Sequence, residues 1–202
     1  MKFPSKVLEE TVNAIASLPG IGKKTALRLA LHLTQDDKGK IDALVKSLQK
    51  LSTEIKRCTK CQMLSDSLVC DICNTSSRDN GIVCVVETIR DVMAIEDTEQ
   101  FHGRYHILGG VISPLEGVGP EQLHIDSLVE RVKNEDIKEI IMAVSPTIEG
   151  DTTIYYISKK LSDLNVSIST IARGVAFGGD LEYADEFTLG KSISARMPYL
   201  AR

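Results

Sequence analysis

The sequence predicts a multi-module α/β protein: a small helical unit, then a cysteine module, then a parallel-sheet domain. Three observations predict it. Apolar residues recur at helical spacing from Val7 to Ile55, four cysteines follow as two CxxC pairs, and β-branched runs then alternate with helical patterns as far as residue 172. At 202 residues, the chain has room for one main core and smaller modules beside it. A hydrophobic content of 43% and a charged fraction of 26% are ordinary for a soluble globular protein. No apolar run approaches the ~20 residues that a membrane span requires. The opening MKFPSKVLEE carries Glu9 and Glu10 where a signal peptide needs an apolar stretch, so the expected location is the cytoplasm.

The first element is a helix marked by Val7, Leu8, Val12 and Ile15, and a second is marked by Ala26, Leu27, Ala30 and Leu31. LPGIGKKT joins them, which gives a helix-hairpin-helix. A glycine-rich turn feeding a helix offers backbone N–H groups to an anion. That anion is not a nucleotide tail held by a P-loop. A P-loop requires Gly, four residues, then Gly-Lys-Ser/Thr, whereas Ser17 stands at the first position and two lysines separate Gly22 from Thr25. The candidate DNA-binding residues are Gly20 and Gly22, which let the main chain approach closely, Lys23 and Lys24, which supply charge, and Arg28, four residues beyond Lys24 on one face. The plainer alternative is an αα-turn with solvated lysines. The net charge of −4 hides an asymmetry: residues 1–57 hold 11 of the 24 Lys/Arg but only 6 of the 28 Asp/Glu. This predicts a basic amino-terminal end and an acidic body.

After the polar TQDDKGK, residues Ile41, Leu44, Val45, Leu48, Leu51 and Ile55 mark one face of a third helix, and three amphipathic helices are expected to close a small core over residues 1–57. Cys58, Cys61, Cys70 and Cys73 form a module over residues 58–73, two knuckles separated by eight residues, which matches tetrahedral Zn²⁺ binding with no open position and hence a structural role. Cys84, inside an apolar run, is expected to be a core residue.

The runs GIVCVVE (81–87), EIIMAVS (139–145) and VSISTIA (166–172) are expected strands, with a helical pattern after the first through Asp97 and helices at about 121–134 and 151–164. Residues 102–120 and 174–182 are expected loops. Strands alternating with helices imply a parallel sheet, whose ligands sit beyond the carboxyl ends of strands. Glu87 ends one strand, while Glu149 and Asp151 follow another and, in an extended segment, point the same way. Three such carboxylates could hold Mg²⁺ for phosphoryl chemistry, or Glu149 and Asp151 could simply favour the dipole of the helix that follows.

The motifs LPGIGKKTALRLALHL, CTKCQMLSDSLVCDIC, VVETIRDVMAIE, YHILGGVISPLEGVGP, SPTIEGDTT and GGDLEYADEFTLGKS, in this order, resemble the RecR family of bacterial recombination mediators over nearly the whole chain. The resemblance implies a helix-hairpin-helix (1–57), a four-cysteine zinc finger (58–73), a Toprim domain (81–175) and a carboxy-terminal oligomerisation segment (176–202) with a Walker B-like element around Leu181–Asp185. It also implies a homotetrameric ring that encircles or clamps DNA and acts in DNA repair with RecO and RecF, loading RecA at single-stranded gaps. Carried over, the phosphate-gripping residues fall on Lys24 and Arg28, the zinc ligands on the four cysteines, and the Toprim acids on Glu87, Glu149 and Asp151. Lys23 stands where a proline is frequent in the family, Ser145 where asparagine is usual and Asp151 where glutamate is common. The expected role is non-catalytic. The competing expectation is a Mg²⁺-dependent, nuclease-like Toprim enzyme, disfavoured because no attacking tyrosine context or nucleotide cradle accompanies the acids.

Overall fold

Ser5 starts the first helix, because its backbone is extended and its hydroxyl accepts from the Leu8 N–H at 3.5 Å. The resulting α1 (Lys6–Ala16) and α2 (Lys23–Gln35) pack on each other through Val12, Ala26 and Ala30, the alanines allowing close approach, with Phe3, Leu8, Ile15, Ile21 and Leu27 around them. These coordinates are a computed structural model that describes residues 3–35, 38–175, 178 and 180–198. The chain divides into two units, Met1–Ile55 and Lys56–Arg202.

Helix α3 (Lys38–Thr53) forms as its periodicity predicts but does not join the core. The expectation of a three-helix core is corrected: Leu44, Val45, Leu48 and Leu51 are 46–57% exposed, because the α1–α2 seam is closed by its own small residues. The first of the two units ends at Ile55. Lys56 and Arg57 form β1, which pairs antiparallel with β2 (Leu64–Ser65) inside the cysteine module.

The second unit continues with a short α4 (Asp71–Asn74) and then alternates β3 (Ile82–Val86), α5 (Ile89–Glu96), β4 (Arg104–Ile107), α6 (Ile125–Asn134), β5 (Glu139–Ala143), α7 (Ile148–Lys160) and β6 (Ser167–Thr170), ending on α8 (Glu186–Ser194). All pairings among β3–β6 are parallel and the spatial order is β4-β3-β5-β6. Period two divides the central strand between two cores. Val83 and Val85 join Ile140 and Met142 against Leu128 and Val132 of α6, Ile157 of α7 and Leu161 just beyond it. Cys84 and Val86 join Tyr105 and Ile107 against Val92 of α5, with Met63 and Ile72 of the cysteine module on the same face. Cys84 is a core residue, as expected, and burial pushes its thiol up to about 12.

Strand β4 lies within the stretch 102–120 that was expected to be loop. Its sequence, RYHI, hid it: Arg104 and His106 are polar, yet both are buried and face helix α6 or its approach instead of solvent. The Nε2 of His106 lies 2.8 Å from the His124 carbonyl, and burial holds the ring near a pKa of about 4, so it stays neutral. The loop expected at 174–182 is only partly described, since Ala176, Phe177 and Gly179 lie outside the described residues, and Leu181–Tyr183 forms a 3-10 turn. Among the described residues no helix is long and apolar enough to cross a membrane.

Candidate nucleic-acid interface and metal centre

The turn between α1 and α2 is tight, with Leu18 N–H donating to Ile15 at 3.2 Å and Ile21 N–H to Leu18 at 3.1 Å. Gly20 adopts φ +79°, a left-handed conformation that side chains disfavour. Gly22 differs: a Cβ there would meet no atom within 4 Å. It immediately precedes α2, whose first N–H groups have no intrahelical acceptor. Lys23, Lys24 and Arg28 are exposed and make no ion pair with a described residue. Lys24 and Arg28 line one surface hollow with Leu27 and Leu31, so the expected shared face is present. This arrangement offers main-chain donors and unpaired cations to a polyanion.

In the cysteine module, Cys58 N–H donates to the Met63 carbonyl at 2.7 Å and Gln62 N–H to the Cys58 carbonyl at 3.0 Å, a knuckle that Gln62 closes at φ +67°. All four cysteines are buried, their Sγ atoms lie within 4.8 Å of one another, and Cys61 Sγ is 3.5 Å from Cys70 Sγ. A tetrahedron with ~2.3 Å metal–sulfur bonds has edges of about 3.8 Å, so the cluster fits a Zn²⁺-sized ion. The Cys70 N–H already donates to Cys58 Sγ at 3.3 Å, as a thiolate favours. The bond to Cys73, then burial, drive the Cys61 thiol far up; burial raises Cys70 to about 11. Cys73 is drawn down to about 6 by the bond from Cys61 and then, against burial, by the nearby Arg131 charge.

The module is docked on the sheet. Ile107 N–H of β4 donates to the Cys61 carbonyl at 2.9 Å, and Lys60 reaches Glu135 at 3.7 Å.

The three acids are placed differently from expectation. Glu149 and Asp151 are not in an extended segment but in the first turn of α7, capped by Thr147, whose hydroxyl accepts from Gly150 N–H at 3.0 Å. Residues two apart on a helix point to opposite sides. Glu87 accepts the Ser145 N–H at 2.5 Å, fastening β3 to the end of β5. Asp151 accepts from Arg173 at 2.6 Å, and that guanidinium holds its carboxyl below the usual range. Glu149 is half-buried, and its carboxylate has no partner among the described residues. Among those residues the four cysteines are the only group of three or more ligand-type side chains gathered within 4.8 Å.

Three residues that spacing did not reveal shape these sites. Arg173 follows β6 as an isolated cation, and Arg131 is hidden in the ordinary polar pattern of VERVKNE. Gly150 carries the most visible signal, a glycine in a helix's first turn. Its Cβ position lies 2.0 Å from the Ser145 carbonyl oxygen, so α7 meets the end of β5 at backbone distance.

Family models match three segments: RecR helix-hairpin-helix over residues 8–51, Toprim domain over 81–172 and RecR C-terminal over 174–197. The chain is 55% identical over 199 residues to the recombination protein RecR of Amoebophilus asiaticus, covering 98% of this chain and 100% of that protein. It is 55% identical over 197 residues to RecR of Cytophaga hutchinsonii, covering 97% and 96%, and 55% identical over 199 residues to RecR of Flavobacterium psychrophilum, covering 98% and 97%. With helix-hairpin-helix, clustered cysteines and parallel Toprim sheet in that order, the chain belongs to the RecR family of recombination proteins.

Proposed function

We propose that this protein is a non-catalytic, DNA-binding recombination mediator of the cytoplasm. It holds DNA through Gly20, Gly22, Lys23, Lys24 and Arg28, and assembles as a homotetrameric ring or clamp. It acts with RecO and RecF to load RecA at single-stranded gaps, with Zn²⁺ in Cys58, Cys61, Cys70 and Cys73 as a structural element. Residues 58–73, 81–175 and 176–202 are the modules that follow the hairpin. The observation that carries this reading is the row of exposed cations, without an ion pair among the described residues, beside a helix start with open space at Gly22. Such a grip touches phosphates and reads no bases.

The competing reading, a Mg²⁺-dependent Toprim enzyme, has less support. Glu87 is spent on a backbone N–H, Asp151 on Arg173, and the acids diverge around α7. Glu149, the carboxylate left without a partner, suits a contact with a basic protein surface, and RecO is the proposed owner of that surface.

The test is Lys24→Glu with Arg28→Glu, measured by fluorescence anisotropy on single- and double-stranded DNA across salt concentrations. Wild type should show log affinity falling by ~0.7–0.9 per tenfold rise in salt for each phosphate neutralised, and the double variant should lose binding while keeping its metal content and oligomeric mass. Binding at wild-type strength by the variant would refute the grip, and Mg²⁺-dependent cleavage abolished by Glu87→Gln would restore the enzyme reading.

A further inference from the structure

Arg131 occupies an unusual position for a guanidinium. It lies in the last turn of α6 with a residue exposure of 6%, between the sheet and the cysteine module. Its Nε donates to Glu135 at 3.0 Å and one terminal nitrogen donates to the Tyr105 carbonyl of β4 at 2.7 Å. The other terminal nitrogen is buried and has no hydrogen-bond partner among the described residues. A buried charge with an orphaned donor costs several kcal/mol unless something nearby compensates it. Glu135 compensates only in part, because it also serves Lys60 of the first knuckle.

The cysteine module can supply the missing compensation. Four thiolates around one divalent cation leave two negative charges, enclosed here among buried residues. The strand whose Tyr105 carbonyl Arg131 grips is the one that donates from Ile107 to Cys61, and the Glu135 that holds its Nε also reaches Lys60, beside that cysteine. Only two backbone positions along β4 therefore separate the anchor of the guanidinium from the anchor of the first knuckle.

We propose that Arg131 is a positioning residue for the metal centre: fixed by Tyr105 and Glu135, its guanidinium offsets the residual negative charge of the metal–thiolate cluster and thereby retains the ion and holds the cysteine module to the sheet. This rests on reading the four cysteines as a resident metal site. Lysine at this position keeps the charge but not the fork that grips the Tyr105 carbonyl and Glu135 together.

The experiment uses the full chain purified without chelator, with its zinc content measured first. Zinc transfer to a chromogenic chelator is then timed at fixed pH for wild type, Arg131→Met and Arg131→Lys, and thermal unfolding is recorded before and after metal removal. Arg131→Met should release zinc roughly 10–100-fold faster, the span seen when outer partners of metal ligands are lost. Arg131→Lys should fall between it and wild type. Release from Arg131→Met at the wild-type rate overturns the assignment, as does a loss of melting temperature that is equal with and without metal. If Arg131→Met does not fold, Arg131→Lys decides, and release at the wild-type rate refutes the proposal. A wild-type protein without zinc would overturn the metal reading itself, whereas a loaded wild type with an unaffected Arg131→Met overturns only the role of Arg131.

Discussion

Gly20 and Gly22 are both glycines of one turn, but the structure assigns them different reasons for being glycine, and two alanine substitutions separate those reasons. At Gly20 the requirement is conformational: φ is +79°, and alanine there costs about 1–2 kcal/mol. For a unit as small as Met1–Ile55, at ~4–8 °C per kcal/mol, that corresponds to a fall of roughly 4–16 °C in melting temperature. At Gly22 the protein itself imposes nothing, since a methyl would touch no atom within 4 Å, and Gly22→Ala should change stability by less than ~0.5 kcal/mol. Its cost should instead appear on DNA. A methyl that keeps a phosphate off the α2 amides forfeits a hydrogen bond to a charged group, worth ~1.5–3 kcal/mol, or a roughly tenfold or greater loss of affinity. Thermal unfolding and anisotropy titration at one fixed salt concentration measure the two effects side by side. A Gly22→Ala protein that binds DNA as wild type does would refute close main-chain approach at this turn, whatever Gly20→Ala does.

Two further perturbations follow. Gly150→Ala places a carbon 2.0 Å from the Ser145 carbonyl oxygen and should destabilise the second unit by about 1–3 kcal/mol despite the better helix former, whereas Gly190→Ala, in open space within α8, should not; urea unfolding of both compares them directly. Glu96 accepts from Arg78 at 2.9 Å and from the Tyr105 hydroxyl at 2.6 Å, and the Arg78 bond leads in depressing its carboxyl below the ordinary value of 4.5. A depressed carboxyl contributes its full stabilisation above the unfolded pKa and loses it as pH falls through the folded one, so wild-type melting temperature should drop steeply below about pH 4.5, and Arg78→Met should flatten that acid limb. Parallel acid limbs for the two proteins would remove this pair from the account.

What could be read from the sequence was whatever has a period or a spacing. GIVCVVE and EIIMAVS announce buried parallel strands by their β-branched density, and two CxxC pairs announce a ligand tetrahedron, because in each case local chemistry and tertiary role coincide. RYHI fails that test: Arg104 and His106 resemble loop residues and are buried only in the folded domain, where His106 meets the His124 carbonyl ahead of α6. The exposed face of α3 misled in the opposite sense, since its pattern shows amphipathicity without naming the surface it meets. The candidate site divides in the same way. Lys24 and Arg28 share a helix face by spacing alone, whereas the divergence of Glu149 and Asp151 depends on where α7 begins. Thr147 caps the helix one turn earlier than the apolar pattern indicates, and that single boundary turns two parallel carboxylates into opposed ones. Arg131 and Arg173 were invisible because the partners that give them meaning are 26 and 22 residues away in sequence.

The docking of the first knuckle on β4 has a consequence for the chain's solubility. A strand at the border of a sheet exposes unpaired amides and carbonyls that can recruit a strand from another molecule. On β4 the Cys61 carbonyl takes the Ile107 amide, while the opposite border, β6, has Ser167 and Ser169 bonded through their hydroxyls to Lys138 and Glu139. The thiol hairpin therefore also shields a sticky edge, and protein made under zinc starvation should be lost to precipitation before its hold on DNA becomes limiting.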